Sequence, residues 1–270
     1  TRLQGDWSSD VCSSDLMNFL IIGCSNGLGL HHIIRDVFSP SRSYFEPRTP
    51  EVSGAQVWDD DRDTYTNLSV GGAGNRYITN RLFEYISCNE KPDYIYLQFT
   101  GLNRLDLPTS KGNFIDRYEF QTKTEYSNWI HSGGINGSWV GDDRCQKMFT
   151  YLYDPKDQNH VTVQNLFEIN NALNFLHRSK IPYNWSTYYD YDNAPNEQIK
   201  LDGVLDESTK KIYEALDKTH KIQTSLTNHI MEKNKNWMEE DDVHWKYEGG
   251  MDWLYYSKKQ FIIRELHATR

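Results

Sequence analysis

A short apolar run, Asn18 to Ile22, passes directly into Gly23-Cys24-Ser25-Asn26-Gly27-Leu28-Gly29. A run apolar at both odd and even positions has no solvent face, so it reads as a strand buried on both sides. The glycines predict a tight turn and a helix start. Leu28 to Phe38 continues that helix, and Pro40 stops it. The pattern returns later in the chain. Gly71-Gly72-Ala73-Gly74-Asn75 opens a second helix with Ile78, Leu82, Phe83 and Ile86 on one face. Pro92-Asp93 ends it, and Tyr94 to Phe99 is a second core strand. Such a βα…αβ alternation is the mark of an α/β fold with a mostly parallel sheet.

The remaining elements are weaker. Ala55 to Trp58 and Tyr65 to Val70 read as short strands around Asp59, Asp60, Asp61 and Asp63, an acidic run expected to be a solvated loop. Residues 105–160 lack the alternation and carry Trp129, Gly133-Gly134 and Trp139, so they read as an insertion or cap. Val163 to Leu176 is an amphipathic helix, and Tyr183 to Tyr188 a strand after it. Residues 205–240 are polar and mostly helical by propensity. Met251 to Leu266 reads as a terminal amphipathic helix.

Composition narrows the function. The formal net charge of −9 argues against a nucleic-acid partner. No apolar stretch approaches the ~18 residues of a membrane span. Cysteines 12, 24, 88 and 145 form neither a CxxC nor a disulfide framework, which suits a reducing, cytoplasmic compartment. His31 and His32 fit a helix surface; with no HExxH or Cys/His ligand spacing, neither a metal nor another cofactor is expected. Asp6 to Leu16, DWSSDVCSSDL, resembles a translated sequencing adapter. Residues 1–16 are therefore expected to be a non-native or disordered tail, and 17–270 a single domain. Removing Arg2, Asp6, Asp10 and Asp15 takes the charge from −9 to −7, so the acidic character survives. No signal peptide is expected, since Phe19 to Ile22 is too short for an apolar h-region and no basic stretch precedes it.

Serine needs a base and an oxyanion site to act as a nucleophile. Ser25 sits just past the first strand, where α/β sheets place their sites. Gly71-Gly72 allows close backbone approach to a ligand. Gly101-Leu102-Asn103-Arg104 follows the strand at 94–99 and offers an amide. Asp241-Asp242-Val243-His244 offers a base with a carboxylate two or three residues before it.

In order and spacing, these segments resemble the SGNH (GDSL-like) hydrolases. Gly23-Cys24-Ser25 is similar to the first block, Asn67-Leu68-Ser69-Val70-Gly71-Gly72 to the second and PDYIYLQFTGLNR (92–104) to the third. DDVHWKYEGGMDW (241–253) resembles the last block. The GCS form points to the environmental and phage-type branch. The resemblance spans 17–104 and 241–265 and implies a three-layer α/β/α sandwich of flavodoxin-like type. It implies Ser25 as nucleophile, His244 as base and Asp241 or Asp242 as triad acid. It further implies an oxyanion hole formed by the N–H groups of Ser25 and Gly72 and the Asn103 side chain. An ester is the implied substrate; apart from the resemblance, the aromatic, Asn-rich stretch 105–160 suits stacking on sugar rings and so suggests an O-acetyl group on a glycan. Cys24 replaces the family's Asp, Trp245-Lys246 stand where Pro-Ser is common, and Gly250 stands where a second His occurs.

These departures leave a second reading, a degenerate SGNH domain that binds glycans or serves structure. A third comes from residues 23–29. They also fit G-x-x-x-G-x-G of the short-chain dehydrogenases, whose Tyr-xxx-Lys has one candidate, Tyr255 with Lys259, eleven residues from the end. GCSNG also satisfies the G-x-S-x-G elbow, but the six residues from Met17 to Ile22 leave no room for the strands that precede it. Deleting residues 1–16 is expected to leave the thermal midpoint unchanged; a large loss would identify them as native structure.

Overall fold

In the computed structural model, the residues described are 17–24, 30, 56–59, 63–108, 129–131, 151, 159–195, 197–200, 203–234, 236 and 245–262. A five-stranded sheet organises them. Its strands are β1 (Met17–Ile22), β2 (Gln56–Asp59), β3 (Asp63–Asn67), β4 (Tyr94–Phe99) and β7 (Tyr183–Thr187), in the order β2-β3-β1-β4-β7. The pairs β3·β1, β1·β4 and β4·β7 are parallel, and only the edge strand β2 is antiparallel. Between them in the chain lie β5 (Asp106–Pro108) and β6 (Trp129–His131), which pair antiparallel in a separate ribbon. The helices are α1 (Asn75–Cys88), α2 (Asn159–Ser179), α3 (Glu197–Lys200), α4 (Glu207–Glu214), α5 (Leu226–Lys233) and α6 (Tyr247–Ser257).

Alternation along the strands divides the core into two layers. Leu20 and Ile22 of β1 and Ile95, Leu97 and Phe99 of β4 face α1 and α2. Met17, Phe19 and Ile21, with Tyr94 and Tyr96, face α5 and α6. Both sheet faces are covered, which makes the protein a three-layer α/β/α sandwich and explains why β1 and β4 are apolar throughout. The second layer is aromatic: Phe19 stacks on Tyr65 at 4.6 Å and Tyr96 on Phe261 at 5.7 Å.

Element boundaries shift in instructive places. β3 ends at Asn67 rather than Val70, although the chain stays bonded beside β1 through Leu68 and Val70 before it turns at Gly71–Gly72. Asp63, expected in a solvated acidic loop, is buried within β3, where its carboxylate accepts the Met17 amide at 3.2 Å. The polar stretch 205–240 contains two eight-residue helices separated by irregular backbone that bridges Lys221 to Trp185 of β7. The terminal helix starts earlier than expected, at Tyr247, and passes into a 3-10 turn at Lys258–Gln260.

Helix α1 has no side chain at its N-cap, Gly74. Asp106, from the start of β5, supplies the missing acceptors, taking the Gly74 amide at 2.9 Å and the Tyr77 amide at 2.8 Å. A carboxylate there satisfies orphan amides and complements the helix dipole. Asp106→Ala is expected to destabilise the fold by about 1–3 kcal/mol in chemical denaturation, the cost of stranding buried donors. Asp106→Asn, which keeps one acceptor oxygen, should lose less.

Candidate active site

The strand order places a topological switch at β1: the chain moves to β3 on one side and later to β4 on the other. Sheets of this kind bind ligands at the carboxyl ends of the strands beside such a point. Gly23 and Cys24 leave β1 there, and Thr100 to Asn103 leave β4 beside them.

Hydrogen bonds join the segments that sequence reasoning singled out. The Val70 amide donates to the Gly23 carbonyl at 3.2 Å, running the chain after β3 alongside the end of β1. The turn that follows carries Gly72 at φ +75°, a left-handed conformation that favours glycine. Asn75, the first residue of α1, is fully buried and links this turn to the end of β4. Its Oδ1 accepts the Thr100 amide at 2.8 Å, while Nδ2 donates to the Thr100 and Gly101 carbonyls at 3.4 Å. The Tyr191 hydroxyl, from the loop after β7, donates to the Thr100 carbonyl at 2.6 Å. Burial holds that phenol well above its ordinary pKa, helped by Tyr189, Tyr213 and Cys24, so it acts as a neutral donor.

Asn103 is fully buried in the turn after β4. Gly203, at φ +100°, closes against it: a Cβ there would lie 3.0 Å from the Asn103 amide nitrogen. Gly72 and Asn103 thus lie on two turns at the same carboxyl edge, and Asn75 ties the one turn to the backbone that leads into the other. Ser25, Asp241, Asp242 and His244 lie outside the described residues, as do His31 and His32.

The course of α6 bears on where the last block enters. At its far end, Asn184, second residue of β7, donates to the Gln260 carbonyl and accepts the Ile262 amide, each at 3.0 Å. Midway, Asp252 Oδ2 meets His229 Nε2 at 2.7 Å. His229 belongs to α5, whose first turn sits at the carboxyl edge, where Asn228 accepts the Asp190 amide and Tyr188 the Thr227 amide. Helix α6 therefore runs antiparallel to the parallel strands, and Tyr247 lies about 7.5 Å beyond Asp252 toward the carboxyl edge. Tyr255 and Lys259 are exposed on the lower part of this helix and its 3-10 turn, away from the Gly23 turn. A dinucleotide held by that turn would not meet them, which counts against the dehydrogenase reading.

Among the described residues, no group of three or more His, Cys, Asp or Glu is arranged to hold a metal ion, and no helix is long and apolar enough to cross a membrane. Sequence reasoning missed Asn75 as a linker, Asp106 as a cap, Tyr191 and the His229–Asp252 pair. The Gly-Gly-Ala-Gly-Asn string signalled a helix start, yet nothing in it showed that Asn75 would bond to a strand twenty-five residues away.

No known protein family matches the chain, and no curated protein does. Solved structures similar to it include a mutant of Axe2, an acetyl-xylooligosaccharide esterase from Geobacillus, at 12% identity and TM-score 0.45, covering 90% of this chain and 93% of that one. A catalytic mutant of Axe2, an acetylxylan esterase from Geobacillus stearothermophilus, is similar at 13% identity and TM-score 0.41, with 90% and 93% covered.

Asp190, at the same edge after β7, gives a pH-dependent prediction. Burial raises its carboxyl above the ordinary range, against the pull of Lys221 and the Ser225 amide, with Asp192 and Glu232 raising it further. A raised folded-state pKa means the folded protein holds the proton more tightly, so stability falls as pH rises from about 4 through the folded value. Asp190→Asn keeps an acceptor for the Ser225 amide, bonded at 3.1 Å, and removes the charge. Its melting temperature should exceed the wild type's at pH 7 and match it near pH 3; equal midpoints at both would show that Lys221 fully offsets the burial.

Proposed function

We propose that the protein is a serine esterase of the SGNH type, and the clustering of Gly72 and Asn103 beside the Gly23–Cys24 turn carries the proposal. Three segments far apart in sequence meet at the carboxyl edge of one sheet, joined by the Val70–Gly23 bond and by Asn75. This is what an oxyanion site assembled from several blocks requires. The direction of α6 supports the fourth block. His244 precedes Tyr247 by three residues, which limits their Cα separation to about 11 Å.

Ser25, next in the chain after Cys24, attacks the ester carbonyl through Oγ while His244 takes the hydroxyl proton. The Ser25 and Gly72 N–H groups and the Asn103 side chain stabilise the oxyanion. Collapse breaks the bond to the alcohol, which leaves with the proton from His244. Water then attacks the acyl-enzyme with His244 again as base and releases the acid. Asp241 or Asp242 orients the imidazole and stabilises its charged form. An O-acetylated glycan suits the aromatic, Asn-rich stretch 105–160 as substrate, with the single domain 17–270 carrying the site. Cytoplasmic location and phage origin remain part of this proposal.

Fluorophosphonate labelling tests the nucleophile. Wild type should label on Ser25, Ser25→Ala should not, and His244→Ala should label severely more slowly. Label on Cys24, or a folded Ser25→Ala variant that still hydrolyses p-nitrophenyl acetate at the wild-type rate, overturns the assignment. A wild type inert to both reagents favours the glycan-binding or structural reading, which the Trp245-Lys246 and Gly250 departures motivate. Asn103→Ala should fold and lose turnover by roughly 10²–10³, the effect of removing one oxyanion donor. Activity should fall as pH drops through the imidazole pKa, about 6.5 when unperturbed.

A further inference from the structure

We infer that Gln98 is a positioning residue for this reaction, holding the Gly23–Cys24 turn from beneath through its side-chain amide; the inference rests on the esterase reading above. Gln98 is the fifth residue of β4 and is fully buried. By alternation it belongs to the layer of Tyr94 and Tyr96, where an apolar residue would extend the aromatic core. An amide stands there instead, directly under the end of β1. A Cβ placed on Gly23 would lie 3.1 Å from Gln98 Cβ, 3.3 Å from its carbonyl oxygen and 3.3 Å from Ser69 Oγ. Gly23 therefore sits over a narrow polar slot between β3 and β4 that any side chain would fill.

The two ends of the amide differ. Oε1 faces Cys24, whose Sγ donates to it over 3.9 Å. Nε2 has no hydrogen-bond partner among the described residues, and neither has Ser69 Oγ across the slot. A buried amide donor left unpaired costs about 1–3 kcal/mol. The core gains nothing from such a donor, whereas the acceptor end of the same amide meets Cys24, and Gln98 Cβ and Ser69 Oγ flank Gly23, so Gln98 is placed to hold a turn that must carry a reacting group. Ser186 on β7 shows the contrast. It lies in the same layer, and its hydroxyl meets Tyr96 Oη at 2.5 Å. Cys24 stands where the family pattern has Asp, so its contact with Gln98 is this chain's own means of fixing the turn.

The test compares Gln98→Met, which keeps the bulk without the amide, with Gln98→Glu, which keeps an acceptor oxygen for Cys24 but stays neutral, as the amide is, only while protonated. A carboxyl buried here has its pKa raised, so it stays protonated in mildly acidic solution. Gln98→Met should retain the wild-type melting temperature within a few degrees. Its kcat on p-nitrophenyl acetate should fall roughly 10- to 100-fold, the scale of misplacing a reacting group, with KM within about twofold. Gln98→Glu should label with fluorophosphonate near the wild-type rate at pH 5 and fall progressively behind it by pH 8, while its circular dichroism stays constant. Wild-type kcat in folded Gln98→Met overturns the inference. So does loss of activity that only tracks loss of folded protein, or a Gln98→Glu to wild-type ratio that does not change with pH. A wild type that neither labels nor hydrolyses removes the esterase reading and this inference with it, whereas a reactive wild type with unaffected variants removes the inference alone.

Discussion

Covering β1 and β4 on both faces is the constraint on which the rest depends. Strands closed to solvent above and below open to it only at their ends, and parallel pairing gathers the carboxyl ends of β3, β1, β4 and β7 along one edge. Chemistry in such a fold must be built from the turns that leave that edge. Each turn then meets a demand set by its strand. A Cβ on Gly23 would press on Gln98 and Ser69 at 3.1–3.3 Å, Gly72 takes a left-handed conformation, and a Cβ on Gly203 would press on Asn103 at 3.0 Å.

The turns cohere because side chains cross between them. Asn75 does the most: as the opening residue of α1 it could have capped only its own helix, yet it bonds to the backbone after β4 through both ends of its amide. The N-cap itself, Gly74, has no side chain, so the helix takes its cap from elsewhere. Asp106, just beyond the Asn103 turn, supplies it, so the segments after β3 and β4 support each other in both directions. Asn165 of α2 adds a third tie from outside the sheet, donating to the Leu102 and Arg104 carbonyls at 2.9 and 3.0 Å.

Sequence reasoning reached the fold through continuous apolar strands and glycine-rich turns, features that a single chain displays locally. It found β1, α1, β4, α2 and β7 because each carries its own signal. It misread Asp63 for the same reason. An aspartate among three others looks solvated, and only the pairing of β3 with β1, Asp63 opposite Met17, puts it where a buried carboxylate can accept a backbone amide. Gln98 and Asn75 were equally unreadable, since a polar residue in a strand or at a helix start says nothing about its partner. Of the candidate site, Gly72 and Asn103 were legible as turn residues after predicted strands. That Asn75 would join them was not.

One sequence ambiguity ends in physical terms. The stretch 23–29 suits both a nucleophile turn and a dinucleotide loop, because both need glycine after a buried strand. The difference lies in what else converges. A dinucleotide fold needs its Tyr and Lys to reach the same edge, whereas α6 carries Tyr255 and Lys259 down toward the Asn184 end of the sheet. What α6 brings toward the carboxyl edge is its own start, at Tyr247. The helix is held in that direction by the bond from His229 to Asp252 near the edge and by the Trp253 indole, which donates to the Thr224 carbonyl at 2.9 Å. The orientation of one helix, fixed by these two contacts, therefore sets Tyr255 and Lys259 apart from the Gly23–Cys24 turn.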